Sequence, residues 1–237
     1  SGGSISCNTS MSDPVPQAMP VSEGNIAEFK NQAFDPALGG ATFNGDYTAS
    51  TTIMGPLKIT GDLIIDNSCE DDPVTGVCLS LAGTVWVQGN LKVEQPNKVV
   101  KLDPSYGSNG GVIVVDGYIS LGNGADFCGA AGYDAANHVC HPPNGSFIML
   151  LTTSSCDGTT CGGNYAIDIP NNAGTVILNA QKGTLFFKNG AVAKAAVAYK
   201  IKMKPGATVD YETGLADANF TSGPSGGWQL NSWQEVE

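Results

Sequence analysis

Short apolar stretches alternate with turn residues along most of this chain. From residue 50 onward the runs "LKITGDLIID" (57–66), "LSLAGTVWVQGNLKV" (79–93), "VVKL" (99–102), "GVIVVDGYISL" (111–121), "FIMLLTT" (147–153), "YAIDI" (165–169), "GTVILNA" (174–180), "GTLFF" (183–187), "VAYKIKM" (197–203) and "ATVDYE" (207–212) read as strands. Gly, Asn, Asp or Pro separates most of them. Within them Val85 and Val87, Leu91 and Val93, Val112 and Val114, and Ile119 and Leu121 read as the inward members of an in–out alternation. The turn triplets "NGA" (123–125), "NNA" (171–173), "NGA" (189–191) and "PGA" (205–207) resemble one another, and the last three begin at 171, 189 and 205. Asn and Gly tolerate the left-handed backbone each corner needs, and the Ala that follows is small enough to tuck inward. A second unit, Gly-x-hydrophobic-x-hydrophobic, recurs as "GDLII", "GTVWV", "GVIVV", "GTVIL" and "GTLFF".

A near-constant period with one turn and one or two strands per repeat is the signature of a solenoid. The expected fold is therefore all-β: a parallel β-helix, taken as right-handed, with inward Val, Ile, Leu and Ala forming a column. A β-sandwich, also made of short strands with frequent turns, is the competing architecture. One helix is expected at "SEGNIAEFKNQA" (22–33). Ser22 is its N-cap, and Ile26, Phe29 and Ala33 fall at helical spacing. So short a helix is marginal alone and must dock, with the exposed end of the solenoid as the expected target. The chain divides into a lead-in and capping helix (1–45), the solenoid (46–212) and a C-terminal cap (213–237) that folds across the last coil or runs back along a face.

Composition supports β-structure and narrows the partners. Of 237 residues only 14% are charged, 31 are Gly, and the net charge is −11. All eleven basic residues are Lys. An acidic chain without the guanidinium fork suits neither nucleic acid nor an anionic membrane surface. No apolar run is long enough to span a bilayer, so no membrane contact by this segment is expected. The opening "SGGSIS" holds no signal peptide and reads as a trimmed or processed end.

Six of seven cysteines fall into local pairs: Cys69 with Cys78, Cys128 with Cys140, and Cys156 with Cys161. Each pair brackets a polar loop, and closing it would stabilise by about 2–3 kcal/mol. Disulfides point to an oxidising, extracellular or cell-surface location. Cys7 is left over. The rival is zinc held by Cys128, His138, Cys140 and His141, but their spacing fits no standard ribbon or finger. Glu70, Asp71 and Asp72 are weak Ca²⁺ candidates that match no calcium loop. No metal and no cofactor is expected.

Together, "LGGATFNGDYT" (38–48), "GPLKITGDLII" (55–65), "GTVWVQGNLKV" (83–93), "VKLDPSYGSNGGVIVVDGYISL" (100–121) and "GLADANFTSGPSGGWQLNSWQEVE" (214–237) resemble a group of surface proteins of candidate-phylum bacteria. These carry a pilin-like or PilX-like hydrophobic N-terminus ahead of a β-solenoid. The resemblance covers residues 20–237, and its motifs are structural. It implies a pilus-like setting and carries over no active site.

The expected function is a non-enzymatic surface or appendage component whose partners are other protein subunits or a surface glycan. A carbohydrate-binding adhesin would use exposed aromatics, with Trp86, Tyr106, Tyr118, Tyr133, Trp228 and Trp233 as candidates. A polysaccharide-degrading β-helix enzyme would need two facing carboxylates. Asp62, Asp66, Asp103, Asp116, Asp168 and Asp210 are available, but none forms a spaced pair within a strand.

Overall fold

The computed structural model describes residues 21–50, 52–141, 146–171, 173, 177–210, 219–221 and 227–229. A helix, α1 (Glu23–Phe34), comes first; Ser22 and Asn25 form a reciprocal capping box at its start.

Strands then wind through successive coils. The first coil is β1 (Ala41–Phe43), β2 (Tyr47–Thr48) and β3 (Ile53–Met54). The second is β4 (Leu57–Ile59), β5 (Leu63–Ile65) and β6 (Leu79–Leu81). The third is β7 (Val85–Val87), β8 (Leu91–Val93) and β9 (Val99–Leu102). The fourth is β10 (Asn109–Val115), β11 (Ile119–Ser120) and β12 (Asp126–Cys128), and the hairpin β13 (Tyr133–Asp134) and β14 (Val139–Cys140) projects after it. The fifth holds β15 (Ile148–Thr152) and β16 (Ile167–Ile169). In the sixth, β17 (Ile177–Phe187) runs through two walls and is followed by β18 (Val192–Ala193). The seventh repeats that plan with β19 (Ala195–Met203) and β20 (Thr208–Val209). Near the C-terminus lie β21 (Asn219–Thr221) and β22 (Gly227–Gln229).

Each coil pairs in parallel with the one before it, so the chain is an all-β parallel β-helix and not a sandwich. Wall A is the ladder β1, β4, β7, β10, β15, β17 and β19. Wall B is β2, β5, β8, β11, β16, the second half of β17 and the second half of β19. The third side is β3, β6, β9 and β12, then β18 and β20. On wall A the residues Ala41, Leu57, Val85, Ile113, Leu150, Leu178 and Ala196 succeed one another in register. The coils therefore advance by 16, 28, 28, 37, 28 and 18 residues. The short interval read from the turn triplets is the minimal coil at the two ends. The 28-residue central coils carry extra chain on their third side.

Inward residues stack into one core. Ile59, Val87 and Val115 line wall A, while Leu63, Leu91, Ile119, Ile167 and Leu185 line wall B, all fully buried. The wide central coils hold Leu79, Leu102, Tyr106 and Phe127, and the narrow last coils hold Ala191, Ala193, Ala196 and Ala198. Leu185 and Phe187 continue the large side chains into the sixth coil, and small residues gather only on part of the last two. Ala125, Ala173 and Ala191, the third residues of the turn triplets, do tuck inward.

The corner between walls A and B explains a feature hidden inside the apolar runs. Asp46 Oδ1 accepts from Asp62 N, Asp62 Oδ1 from Asn90 N and Nδ2, and Asn90 Oδ1 from Tyr118 N. Each side chain thus caps a backbone donor of the next coil. A Cβ on Gly61, Gly89 or Gly117 would collide with the capping oxygen of Asp46, Asp62 or Asn90, so these corners require glycine.

The helix docks differently from expectation. It does not cap an end; it lies against the outer face of wall A over β1, β4, β7 and β10. Ile26 and Phe29 join Val21, Val112, Val114, Met149, Leu151, Ile177 and Phe220 in a second apolar cluster. Val112 and Val114 thus face outward under the helix, contrary to the inward placement expected of them, and Ile113 and Val115 take the core positions. Wall A is therefore buried on both faces, which is why "GVIVV" and "FIMLL" are apolar without interruption. At the C-terminus, β21 pairs with the start of β10, at Asn109 and Gly110, and β22 pairs antiparallel with β21. That stretch runs back to the fourth coil.

Candidate functional site

All three expected disulfides are present: Cys69–Cys78, Cys128–Cys140 and Cys156–Cys161, with Cα–Cα distances of 5.4, 5.3 and 5.6 Å. The loops do not project alike. The first two pack together beside the third wall, where Val77, Val99, Cys128, Tyr133 and Cys140 form a small apolar cluster. Gly76 sits against Tyr133 and Ala135 there. The third loop overhangs the corner between walls A and B.

The paired loops enclose charge. Lys98, only 7% exposed, sends Nζ to the Cys69 carbonyl at 2.7 Å and to Asp71 at 3.2 Å. Asp126 lies beneath them, and burial pushes its carboxyl up to about 7. Asp72 caps the turn at Val74 and Thr75, whose backbone N–H bonds hold its carboxyl below the usual range. Asp71 and Asp72 thus serve the loop itself, while Glu70 is exposed. No group of three metal-ligating side chains occurs among the described residues. Cys128 and Cys140 are bonded to each other, so neither offers a thiolate to zinc. His138 Nδ1 lies 3.3 Å from the Tyr133 hydroxyl.

The six aromatic candidates do not assemble. Tyr106 is a correction: it is 1% exposed and belongs to the core. The polar stretch "DPSYGSNGG" suggests a surface loop, yet Asp103 caps a turn over Pro104–Tyr106 that folds the ring inward. Burial pushes its phenol pKa up further. Trp86 is the outward member of "VWV", as its position implies, but α1 covers it. Phe34 lies 5.9 Å from its ring, Lys58 Nζ 4.3 Å above it, and its indole N–H donates to Asp116 at 3.0 Å. Lys30 pairs with Asp116 at 2.5 Å and completes the contact. Tyr118 packs against the core, and Tyr133 is half-buried between loops. Trp228 is placed on β22 opposite Phe220 by backbone pairing alone; Trp233 and Cys7 lie outside the described residues.

The candidate acids are occupied singly. Asp62 pairs with Lys92 at 2.6 Å, Asp116 with Lys30, Asp168 with Lys188 at 3.0 Å, and Asp210 approaches Lys194 at 3.9 Å. Burial works to raise the Asp62 carboxyl, but the bonds from Lys92 and Asn90 outweigh it and hold it below the usual range. Asp66 and Asp103 cap turns through Ser68 N and Ser105 N.

Sequence reasoning missed a concave site at the last coils. A cleft of about 310 Å³ lies between the Cys156–Cys161 loop and the corner of β17 and β19. Ser155, Asp157 and Thr159 form one side, and Lys182, Tyr199, Lys200 and Lys202 the other. Lys202 Nζ lies 4.8 Å above the Tyr165 ring, which itself packs on Phe186 at 4.6 Å. A signal existed in the sequence. Six of the eleven lysines fall between residues 182 and 204, a stretch with no carboxylate, while residues 21–181 hold five lysines and sixteen acids. Totals conceal that asymmetry.

Compared with family models, with curated proteins and with solved structures, the chain matches none. The reading of its function rests on its own geometry.

Proposed function

We propose that this protein is a non-enzymatic, extracytoplasmic β-solenoid serving as a stiff component of a cell-surface or pilus-like appendage, through assembly or attachment. The observation that carries the reading is that, among the described residues, the outer edges of β1 and β19 have no paired strand: β1 pairs only with β4, and β19 only with β17. Residues continuing the inward column, Ile201 and Met203, are 43% and 49% exposed. Edges of this kind template further strands. A head-to-tail contact between unlike ends does not close on itself and grows into a filament. The two ends also differ in charge, because the last coils are cationic and the remainder acidic. Three disulfides support an oxidising compartment. The six candidate aspartates support a scaffold over a glycosidase, since each is engaged in a cap or an ion pair rather than facing a second acid.

Negative-stain microscopy of the purified chain over rising concentration tests the proposal. Rods that lengthen with concentration are expected. Single particles at every concentration would contradict assembly.

A further inference from the structure

We propose that the cleft at the last coils is a binding site for an acidic polysaccharide, a chain whose sugars bear carboxylates. This goes beyond the scaffold reading and does not depend on it, because one solenoid contains the whole cleft.

Four observations converge. First, the charge is local and unlike the rest of the molecule: Lys182, Lys200 and Lys202 line the cleft against one carboxylate, Asp157. Second, that carboxylate is committed. Asp157 Oδ1 accepts from the backbone N–H and hydroxyl groups of both Thr159 and Thr160 at 2.7–3.0 Å. Those bonds hold it ionised in the loop, where it makes no ion pair with the cleft lysines and offsets one of their three charges. Lys182 pairs with Glu23 across a solvent-exposed 2.7 Å contact, while Lys200 makes no ion pair among the described residues. Third, the site has rigid walls. The Cys156–Cys161 bridge fixes the loop, and Gly183 packs so tightly on Ala166 and the Ser154 carbonyl that no side chain fits there. Fourth, Tyr199 stands 79% exposed at the rim, a flat apolar face beside cations.

Those elements select a class of ligand. Lysines offer point charges on flexible stems, which pair with carboxylates without demanding one fixed bidentate geometry. An exposed ring accepts the apolar face of a sugar, and the hydroxyls of Ser155 and Thr159 supply adaptable hydrogen bonds. Single-stranded nucleic acid also uses cations and stacking. Tyr199 is the one aromatic among the lining residues, whereas successive bases call for successive stacking rings, so the cleft suits a sugar chain better than single-stranded nucleic acid.

The test is binding of polygalacturonate to the whole chain at low salt, with fully methyl-esterified polygalacturonate and a single-stranded oligonucleotide as parallel probes. Polygalacturonate is expected to bind, and the esterified polymer to bind at least about tenfold more weakly. Lys200→Gln with Lys202→Gln should weaken binding about tenfold, as two partly exposed charge contacts predict. Tyr199→Ala should weaken it about threefold and Tyr199→Phe leave it unchanged, since the ring face and not the hydroxyl is used. Lys101→Gln, on the third wall, should bind as wild type. Thermal melting of each variant separates lost binding from lost folding. No binding, equal binding of the esterified polymer, or full binding by the double lysine variant would overturn the proposal. Equal or tighter binding of the oligonucleotide through the same lysines would also overturn it. Filament growth in the microscope is a separate readout, so either proposal can fail alone.

Discussion

The central coils and the last two coils are the same rung built at two sizes. A central coil spends 28 residues, fills its interior with Leu, Phe and Tyr, and is buried on wall A from both sides. The last two coils spend 16 to 18, mix Ala191, Ala193, Ala196 and Ala198 with Leu185 and Phe187 in their interior, and leave Tyr199, Ile201, Met203 and Val209 exposed. The backbone ladder is continuous through both. The difference lies in what each coil packs against. Central coils have neighbours above and below and α1 alongside, whereas among the described residues the last has one neighbour. Stability therefore concentrates in the middle, and surface available for contact concentrates at the end.

Truncating equivalent inward positions breaks the comparison most sharply. Ile113→Ala, buried between Val85 and Leu150, should cost about 2–5 kcal/mol, whereas Ile201→Ala should cost under about 1 kcal/mol. Urea denaturation of both variants measures it; equal costs would mean the last coil is as closed as the centre.

Next in size come the disulfides. Replacing Cys128 and Cys140 together by Ser should cost about 2–3 kcal/mol, because it frees a loop packed on the one bridged by Cys69 and Cys78. Removing Cys156–Cys161, which closes only a short loop, should cost about 2 kcal/mol and reshape the cleft. Denaturant midpoints of each variant provide the check.

A smaller effect sharpens the contrast through pH. Burial raises the folded Asp126 carboxyl to about 7, above its ordinary unfolded value. The folded state holds that proton more tightly, so this contribution is fully present below about pH 4 and is lost as pH rises to about 7. Asp126→Asn should remove the loss and stabilise the protein by about 1–2 kcal/mol at pH 8, with little change at pH 4. Melting temperatures at the two pH values decide it, and a pH-independent difference would contradict the assignment.

Much of the architecture was legible because the strand restarts are written in turn chemistry. The NGA-type triplets, their inward Ala, the helix from Ser22 and the local cysteine pairs all depend on nearby residues. What stayed hidden depends on distant ones. "LKITGDLIID" reads as one strand, yet it turns at Gly61 because the Asp46 carboxylate of the previous coil caps the corner. The 28-residue period was masked because each such run contains two walls. The apolar stripe of α1 shows that it docks, but the outward Trp86 and Val114 decide where. Tyr106 looks exposed in a polar stretch because nothing local shows that a wide coil has space for its ring. The lysine cluster was visible but averaged away in a net charge.

The central claim is a column of stacked coils closed in the middle and, among the described residues, unpaired along the outer edge of its cationic last coil. Amide hydrogen exchange on the intact chain tests it most directly. Amides of Val85–Val87, Ile113–Val115 and Leu150–Leu151 should exchange slowest, and those of Lys200–Met203 orders of magnitude faster. Protection at Lys200–Met203 equal to that of the central rungs in the dispersed single chain would contradict the account.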